Sequence, residues 1–349
     1  MNETPLPSPP ASRRVALLRA AGKLLQAGIL VYGLGVSAYL LARFTVGERW
    51  NFVAMANNFV PWYAAGGLAL ALLALFSRRR ALLIACQLPG LIAFLLLYGD
   101  LLLPQPAHDV ENKPVITVAT YNTLSALSDP QRVVDVIADL DADVIGLQEF
   151  GPAQADLIAA QLADTYPYQA LYPGLPLPGV GLLSRYPILE AEVILPYPDS
   201  MWDLRAVLDI NGTTTVVYVV HPPPPKNNLS PVHYNNERRD SEITILLNDY
   251  IRHETGPVLV MGDFNATDQS RIYHDLDAVL DDAFREAGHG MGFTYPANLR
   301  NWFRLIPLVR IDYVWYSAHF AALDAWTGSD SGSADHLPVV AKLAQKGTS

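Results

Sequence analysis

The sequence predicts a large α/β domain preceded by three membrane-spanning helices. Apolar residues make up 51% of the 349 and crowd ahead of residue 104. Of the 24 basic residues nine lie in that first part, and of the 34 acidic residues three do, so the two parts carry net charges of +6 and −16. Beyond residue 114 the pattern changes to short apolar runs of strand length, interleaved with stretches of helical period. Parts that differ so much in polarity are matched to different solvents.

The elements follow in order. Residues 1–14 (MNETPLPSPPASRR) are polar and proline-rich, and 1–23 read as a disordered, cytoplasmic N-terminus. Three apolar segments follow, at about 24–46, 52–77 and 81–103. Each is close to the ~20 residues that a helix needs to cross a bilayer. Pro61 and Pro89 are tolerable kinks in lipid, and Trp50, Trp62 and Tyr63 suit an interfacial belt. The alternatives are a buried core hairpin, or a signal peptide for the first segment, which would leave the next two unexplained. Arg13, Arg14, Arg19 and Lys23 precede the first segment, and Arg78-Arg79-Arg80 joins the second to the third. Both clusters belong on the cytoplasmic side, so everything after Leu103 is expected outside.

Residues 104–114 (PQPAHDVENKP) read as an extended linker, spanning at most ~35 Å. Residues 115–345 then form one domain. Strands are expected at 115–121, 144–148, 180–184, 205–210, 214–220, 257–261, 311–316 and 337–343, and helices near 130–140, 153–164 and 235–252. A lone cysteine, Cys86, excludes an intrachain disulfide and a cysteine-based zinc site. The acidic charge of this part disfavours nucleic acid as a partner.

The strands repeatedly end on polar residues. The first runs into Asn122 and the second into Glu149; others end at His221 and at Asp263 and Asn265. The strand near 311 begins with Asp312, and the last follows Asp335-His336. Six such termini suggest that one edge of a folded sheet gathers them. The segments "TYNTL", "VIGLQEF", "GVGLLSRYPI", "VVHPP", "GDFNAT", "RIDYVWYS" and "SADHLPV" lie in this order over about 117–340. Together they resemble the endonuclease/exonuclease/phosphatase superfamily, also called the DNase I-like fold. The resemblance implies a four-layer α/β sandwich: two packed mixed β-sheets flanked by helices.

It also implies hydrolysis of a phosphate ester with Mg²⁺, or Mn²⁺ in its place. Glu149 is a hard carboxylate suited to such an ion, and in the family the matching glutamate is the main ligand, assisted by the asparagine matching Asn122. Asp335 resembles a position that contacts the metal. Asp263 would orient and deprotonate water, although a "GDxN" stretch also makes Asx turns. Asn265 would donate to a phosphate oxygen or hold that water. His336 and Asp312 look like a polarised pair, and His221 matches a phosphate-binding histidine. His233, His253, His274 and His289 match no motif, and Arg185 and Arg205 are ambiguous.

Thr123 and Leu124 stand where abasic-site nucleases carry a metal-assisting aspartate, and "HPPPP" also departs from the nuclease pattern. The expectation is a multi-pass, membrane-anchored phosphoesterase on the extracytoplasmic side, acting on a lipid or lipid-linked phosphate. An extracytoplasmic nuclease and a catalytically silent anchored binding module are the alternatives. The stretch 301–308, with Trp302 and Phe303 beside Arg304, could touch the membrane or fold onto the domain. No protein partner is inferable.

Overall fold

The structure, a computed structural model, describes residues 11–103, 113–124, 127–174, 178–197, 200–227, 230, 232–299, 303–304, 306 and 307–346. The linker 104–112 and residues Asn301, Trp302 and Leu305 lie outside the described residues. Two compact units are present. The first comprises the residues up to Val53 and Phe59–Gly99; the second comprises Ala54–Asn58 and everything from Asp100 onward.

In the first unit α1 runs Ala11–Thr45, so the described residues among the first 23 are helical rather than disordered. The expected span at 52–77 is divided. α2 (Asn51–Asn57) stops at a pair of asparagines, and α3 restarts at Val60 with Pro61 in its first turn. α3 is 15 residues long, about 22 Å of helix against a hydrocarbon core of about 30 Å. α4 (Arg80–Ala85) and α5 (Leu88–Tyr98) lie either side of Cys86-Gln87. Two stretches, Val15–Thr45 and Arg80–Tyr98, are long and apolar enough to cross a membrane. Three were expected. The difference is the Asn57-Asn58 interruption, where polar side chains and a following proline end one helix and start another.

The second unit is a sandwich of two six-stranded mixed sheets. Its elements are β1 (Val115–Asn122), α6 (Pro130–Asp139), β2 (Val144–Phe150), α7 (Pro152–Gln161), β3 (Tyr168–Tyr172), β4 (Gly179–Ser184), β5 (Ile188–Ile194), β6 (Asp203–Ile210) and β7 (Thr213–Val220). They continue with α8 (Glu237–Ile245), β8 (Val258–Asp263), α9 (Arg271–Asp277), β9 (Asp281–Asp282), α10 (Ala283–Ala287), β10 (Asn298–Leu299), β11 (Phe303–Arg304), β12 (Asp312–Tyr316), β13 (Phe320–Thr327) and β14 (Val339–Gln345). The first sheet has the order β13-β14-β1-β2-β4-β3, the second β5-β6-β7-β8-β12-β9; β10 and β11 form a separate ribbon.

Each large sheet contains one parallel pair. β1 and β2 are parallel, with α6 in the crossover, and β7 and β8 are parallel, with α8 in the crossover. The remaining strand pairs in both sheets are antiparallel. α6 explains itself locally. Asp129 caps it by accepting from the Gln131 and Arg132 N–H groups, Pro130 sits in its first turn, and Val133, Val134, Val136 and Ile137 form one buried stripe.

Alternation divides the side chains between faces. Ala119, Tyr121, Ile145 and Leu147 pack outward beneath α6 and α7. Tyr218, Val220, Val258, Val260, Tyr313 and Trp315 pack outward beneath α8 and α9. The opposite parity faces the partner sheet. There the sheets approach closely: a Cβ on Gly146 would lie 2.9 Å from Met261 Cγ and 3.0 Å from Val219 Cγ2. Gly146→Val should therefore overpack the inter-sheet layer and cost about 1–3 kcal/mol, lowering Tm by several degrees. Unchanged thermal unfolding would show that the layer is looser than described.

Candidate active site

The inward parity ends in chemistry. Following each inward-facing row to one end of the sandwich leads to Asn122 on β1, His221 just after β7, Asp263 on β8 and Asp312 on β12. All four side chains are buried. Asn122 Nδ2 donates to Glu149 Oε1 and to Asp263 Oδ2, both at 3.1 Å, and so joins the two sheets.

Glu149 is out of parity: with Ile145 and Leu147 it should point outward. The backbone corrects it. Glu149 sits at φ +49°, and the β2–β4 register shifts between Gln148 and Phe150. This bulge turns Glu149 inward and returns Phe150 to the outer core. Thr123 holds the bulge; its hydroxyl donates to the carbonyls of Glu149 at 2.9 Å and Gln148 at 3.1 Å. The residue replacing the abasic-nuclease aspartate thus serves the backbone under the glutamate.

The two strand ends from different sheets are built alike. Asn122 Oδ1 accepts from the Leu124 N–H at 3.1 Å, with Leu124 at φ +52°. Asp263 Oδ1 accepts from the Asn265 N–H at 2.8 Å, with Asn265 at φ +50°. Each is an Asx-type turn that spends one side-chain atom on the backbone and leaves the other facing the site. Asn265 Nδ2 donates to the Pro222 carbonyl at 3.0 Å, tying the loop after β8 to the loop after His221. A contact to a bound oxyanion would have to use the amide's second hydrogen.

His336 Nδ1 lies 2.9 Å from Asp312 Oδ2. Its Nε2 is 3.7 Å from Asp263 Oδ2 and 4.0 Å from Asp335 Oδ1. Burial depresses the imidazolium, but Asp312 and Asp263 outweigh burial and hold its pKa at about 10. His221 behaves oppositely. Burial, with the neighbouring His336 charge, lowers its pKa to about 4, so one imidazole is charged and the other neutral at pH 7. Its Nε2 lies 3.6 Å from Glu149 Oε1 and 3.7 Å from Asp263 Oδ2. Burial raises Asp263 to about 8 against the opposing pull of His336. Asp335 is also raised, mainly by burial. The described site is short of positive charge.

Among the described residues three buried carboxylate oxygens have no hydrogen-bond partner, and two of them, Asp312 Oδ1 and Asp335 Oδ1, belong to the site. Carboxylates and an amide, with unspent oxygens and a deficit of positive charge, fit a hard divalent cation. Asp263, Asp312 and His336 also cluster, with one donor atom from each lying within 4.8 Å of the others. Their bonding makes that trio a proton-carrying group, because the His336 nitrogen turned toward Asp312 is already engaged and a protonated ring does not ligate metal. Glu149 and Asp335 offer carboxylate oxygens to a cation; Asn122 presents its donor Nδ2 to the site and would reach a cation only through the second lone pair of the Oδ1 that already accepts from the Leu124 N–H.

Several supporting residues carry no sequence signal of their own. Asp203, at the start of β6, accepts from the His221 N–H at 2.8 Å, and burial raises its pKa to about 8. Arg239 on α8, itself buried, donates to the Asn265 carbonyl at 2.8 Å while paired with Asp240. The Tyr295 ring packs on His336 at 4.8 Å between centroids. Arg310 is buried, bonded to Asp282 at 2.6 Å and Asp268 at 3.4 Å, and lies over the rings of Tyr313 and Phe284. This network clamps the 263–268 loop against β12, where the Tyr313 hydroxyl donates to the Ala266 carbonyl. Arg205 pairs with Glu254, and Arg185 with Asp143, both away from the site. His233, His253, His274 and His289 are exposed.

Residues 119–336 match the Endonuclease/Exonuclease/phosphatase family. The chain belongs to that family. A search of curated proteins finds no match. Among solved structures it is similar to the endonuclease/exonuclease/phosphatase from Beutenbergia cavernae, with 23% identity over 67% of this chain and 72% of that one, and TM-score 0.54. It is also similar to a functionally unknown conserved protein from Enterococcus faecalis, with 19% identity over 66% and 100% and TM-score 0.53. A humanized D. rerio TDP2 gives 18% identity over 66% and 99%, again with TM-score 0.53. At these identities the likenesses show the shared fold, in which two mixed sheets pack face to face.

The position of Asp203 sets a pH test. Its folded pKa of about 8 lies above the ordinary carboxylate value of 3.8, so the fold prefers the neutral form. Its contribution is fully favourable below about pH 4 and is withdrawn as pH rises toward 8. Asp203→Asn keeps the acceptor without the charge. Its stability relative to wild type should improve between pH 5 and 8, by up to about 1 kcal/mol per pH unit, as read by thermal unfolding at each pH. A flat or inverted difference would reject the buried neutral carboxyl.

Proposed function

We propose that this family member is a divalent-metal-dependent phosphoester hydrolase, anchored to a membrane by its N-terminal helices and acting on a lipid phosphate or lipid-linked pyrophosphate. One observation carries the hydrolase chemistry: a charged His336 and the carboxyl group of Asp263 stand 3.7 Å apart at the mouth of the inner layer, beside the re-aimed Glu149. Phosphoryl transfer demands charge neutralisation on the phosphate oxygens, an activated water and help for the leaving oxygen.

Glu149, Asp335 and Asn122 would hold Mg²⁺ or Mn²⁺. A bound cation of this kind supplies positive charge to a phosphate oxygen and to the leaving group. The chain's own groups divide the remainder. His336, oriented by Asp312, donates a charge-assisted hydrogen bond from Nε2 to a non-bridging oxygen. Asp263, with its pKa raised into the neutral range, takes the proton of the attacking water. His221 offers an uncharged ring beside Glu149 and Asp263, so it contacts the phosphate without adding net charge. Asn265 keeps Asp263 and the His221 loop in register.

Membrane anchoring is supported by the two long apolar stretches, and the side by the arginines. Arg13 and Arg14 precede the stretch Val15–Thr45 and Arg19 and Lys23 lie in its first turns, while Arg78-Arg79-Arg80 lead into the stretch that starts at Arg80. Keeping both clusters cytoplasmic would need a further crossing between them, for which α3 alone, at about 22 Å, is short of the hydrocarbon core; with that crossing the catalytic unit lies outside. The acidic charge beyond residue 104 opposes a nucleic-acid substrate.

A panel of undecaprenyl pyrophosphate, sphingomyelin, phosphoinositides and DNA tests the reading with Mg²⁺ present and absent. Glu149→Gln should lower turnover of the true substrate about 10³-fold, and Asp312→Asn about 10²-fold or more, on the scale of losing one transition-state partner. Turnover that survives chelation, or survives Glu149→Gln, would place the activity elsewhere. DNA as the only substrate cleaved would replace the lipid reading with the nuclease one.

A further inference from the structure

We infer that the mouth of the active site is rimmed by apolar tips that enter a lipid interface. The inference deepens the lipid-substrate reading above and rests on it for its biological meaning, but not for its test. Nine large apolar side chains described between residues 115 and 345 are exposed. Six of them, Leu127, Leu195, Tyr197, Val232, Ile306 and Leu308, lie in four loops that join strand ends at the site: after β1, before β6, after β7 and before β12. The other three, Val115, Tyr168 and Leu189, lie toward the opposite strand ends or on an edge strand. Scattered single leucines need no explanation, but this distribution is not scattered. Ile306 and Val232 are the most exposed, at 80% and 73%.

The loops are fixed to the catalytic residues. The Leu308 N–H donates to the Tyr295 carbonyl at 2.8 Å, and the Tyr295 ring packs on His336. The Leu127 N–H donates to the carbonyl of Leu124, whose own N–H is held by Asn122. The Val232 loop is closed by the pairing of Lys226 with Asn235, and it begins at Pro222, the acceptor for Asn265.

Charge selects the partner. The part of the chain beyond residue 104 has 31 acidic residues, yet 222–236 and 296–309 contain none, while carrying Lys226, Arg300 and Arg304. Segments free of acid and carrying basic residues along the sequence, next to exposed apolar side chains, suit phospholipid headgroups over an acyl layer. A folded partner would require a contiguous packed patch, whereas separate tips on proline-containing loops enter a deformable layer one at a time.

The test uses the full chain, with Cys86 replaced by alanine, in vesicles of phosphatidylcholine and phosphatidylglycerol. An NBD probe on Ile306→Cys or Val232→Cys should shift to the blue and be quenched by doxyl-labelled lipid, and the same probe on Tyr168→Cys should not. The double variant Val232→Asp/Ile306→Asp should lose at least tenfold in turnover of vesicle-borne undecaprenyl pyrophosphate, yet keep bis-p-nitrophenyl phosphate turnover within twofold. Probes at 232 and 306 that stay in water overturn the inference, as does equal loss on both substrates. Quenching in a preparation that turns over only the soluble ester supports the rim and removes the lipid-substrate reading instead.

Discussion

Two parallel crossovers determine where everything else falls. In each sheet a strand, a helix and a parallel neighbour bring two strands to the same end with the same sense: β1 and β2 in one, β7 and β8 in the other. Parallel neighbours cannot be joined by a tight turn, so their C-terminal ends are left open to carry side chains. Stacking the sheets then sets Asn122 and Glu149 against His221 and Asp263. The antiparallel strands β12 and β14 enter from that end, which is why Asp312, and Asp335 with His336, are met at strand starts rather than strand ends. A single alternation of side chains makes the lower part of the inter-sheet layer apolar and its last rung chemical.

That last rung is costly to bury. Several carboxylates share it with one charged imidazole, and removing a charge from water is repaid only by close partners. The raised pKa of Asp263 and Asp335 and the unspent oxygens of Asp312 and Asp335 record an environment built for more positive charge than the chain provides. The Arg310 network beneath holds the 263–268 loop in place against this repulsion.

The central strands were legible in the sequence because they are buried on both faces and read as continuous apolar runs. Of the six strands that were not, β3, β5, β9 and β13 are the edges of the two large sheets, and β10 and β11 are the two-residue strands of the separate ribbon. An edge strand is half solvated, as in Ile188–Ile194, where only Ile194 is buried and a register shift breaks the alternation, and its pattern is diluted accordingly. The residues at the mouth were legible because strand ends carrying Asn, Glu, His and Asp have no structural reason to recur. Asp203, Arg239 and Tyr295 were not. Each acts through a backbone group or a ring face, and nothing in the spacing of residues announces which peptide they will meet. The second apolar segment misled for a related reason: hydropathy averaged over 52–77 passes over Asn57-Asn58, where the helix breaks.

The backbone at the mouth explains why side chains with this chemistry need strained neighbours. Leu124, Glu149 and Asn265 all sit at φ near +50°, a region that costs a residue with a Cβ about 1–2 kcal/mol. Glycine would relieve the strain at each position. At Glu149 it would remove the carboxylate that the bulge exists to re-aim. At Asn265 it would remove the amide that joins two loops. At Leu124 the strain is offset by the hydrogen bond to Asn122, worth about 1 kcal/mol, and Asn265 gains the same from Asp263. The two turns thus couple site side chain to backbone: the residue that relieves the strained neighbour is the one whose other side-chain atom faces the site. Loss of either side chain therefore loosens its own loop as well as removing its chemistry, so the mouth of this sandwich holds its shape only while its reactive groups are in place.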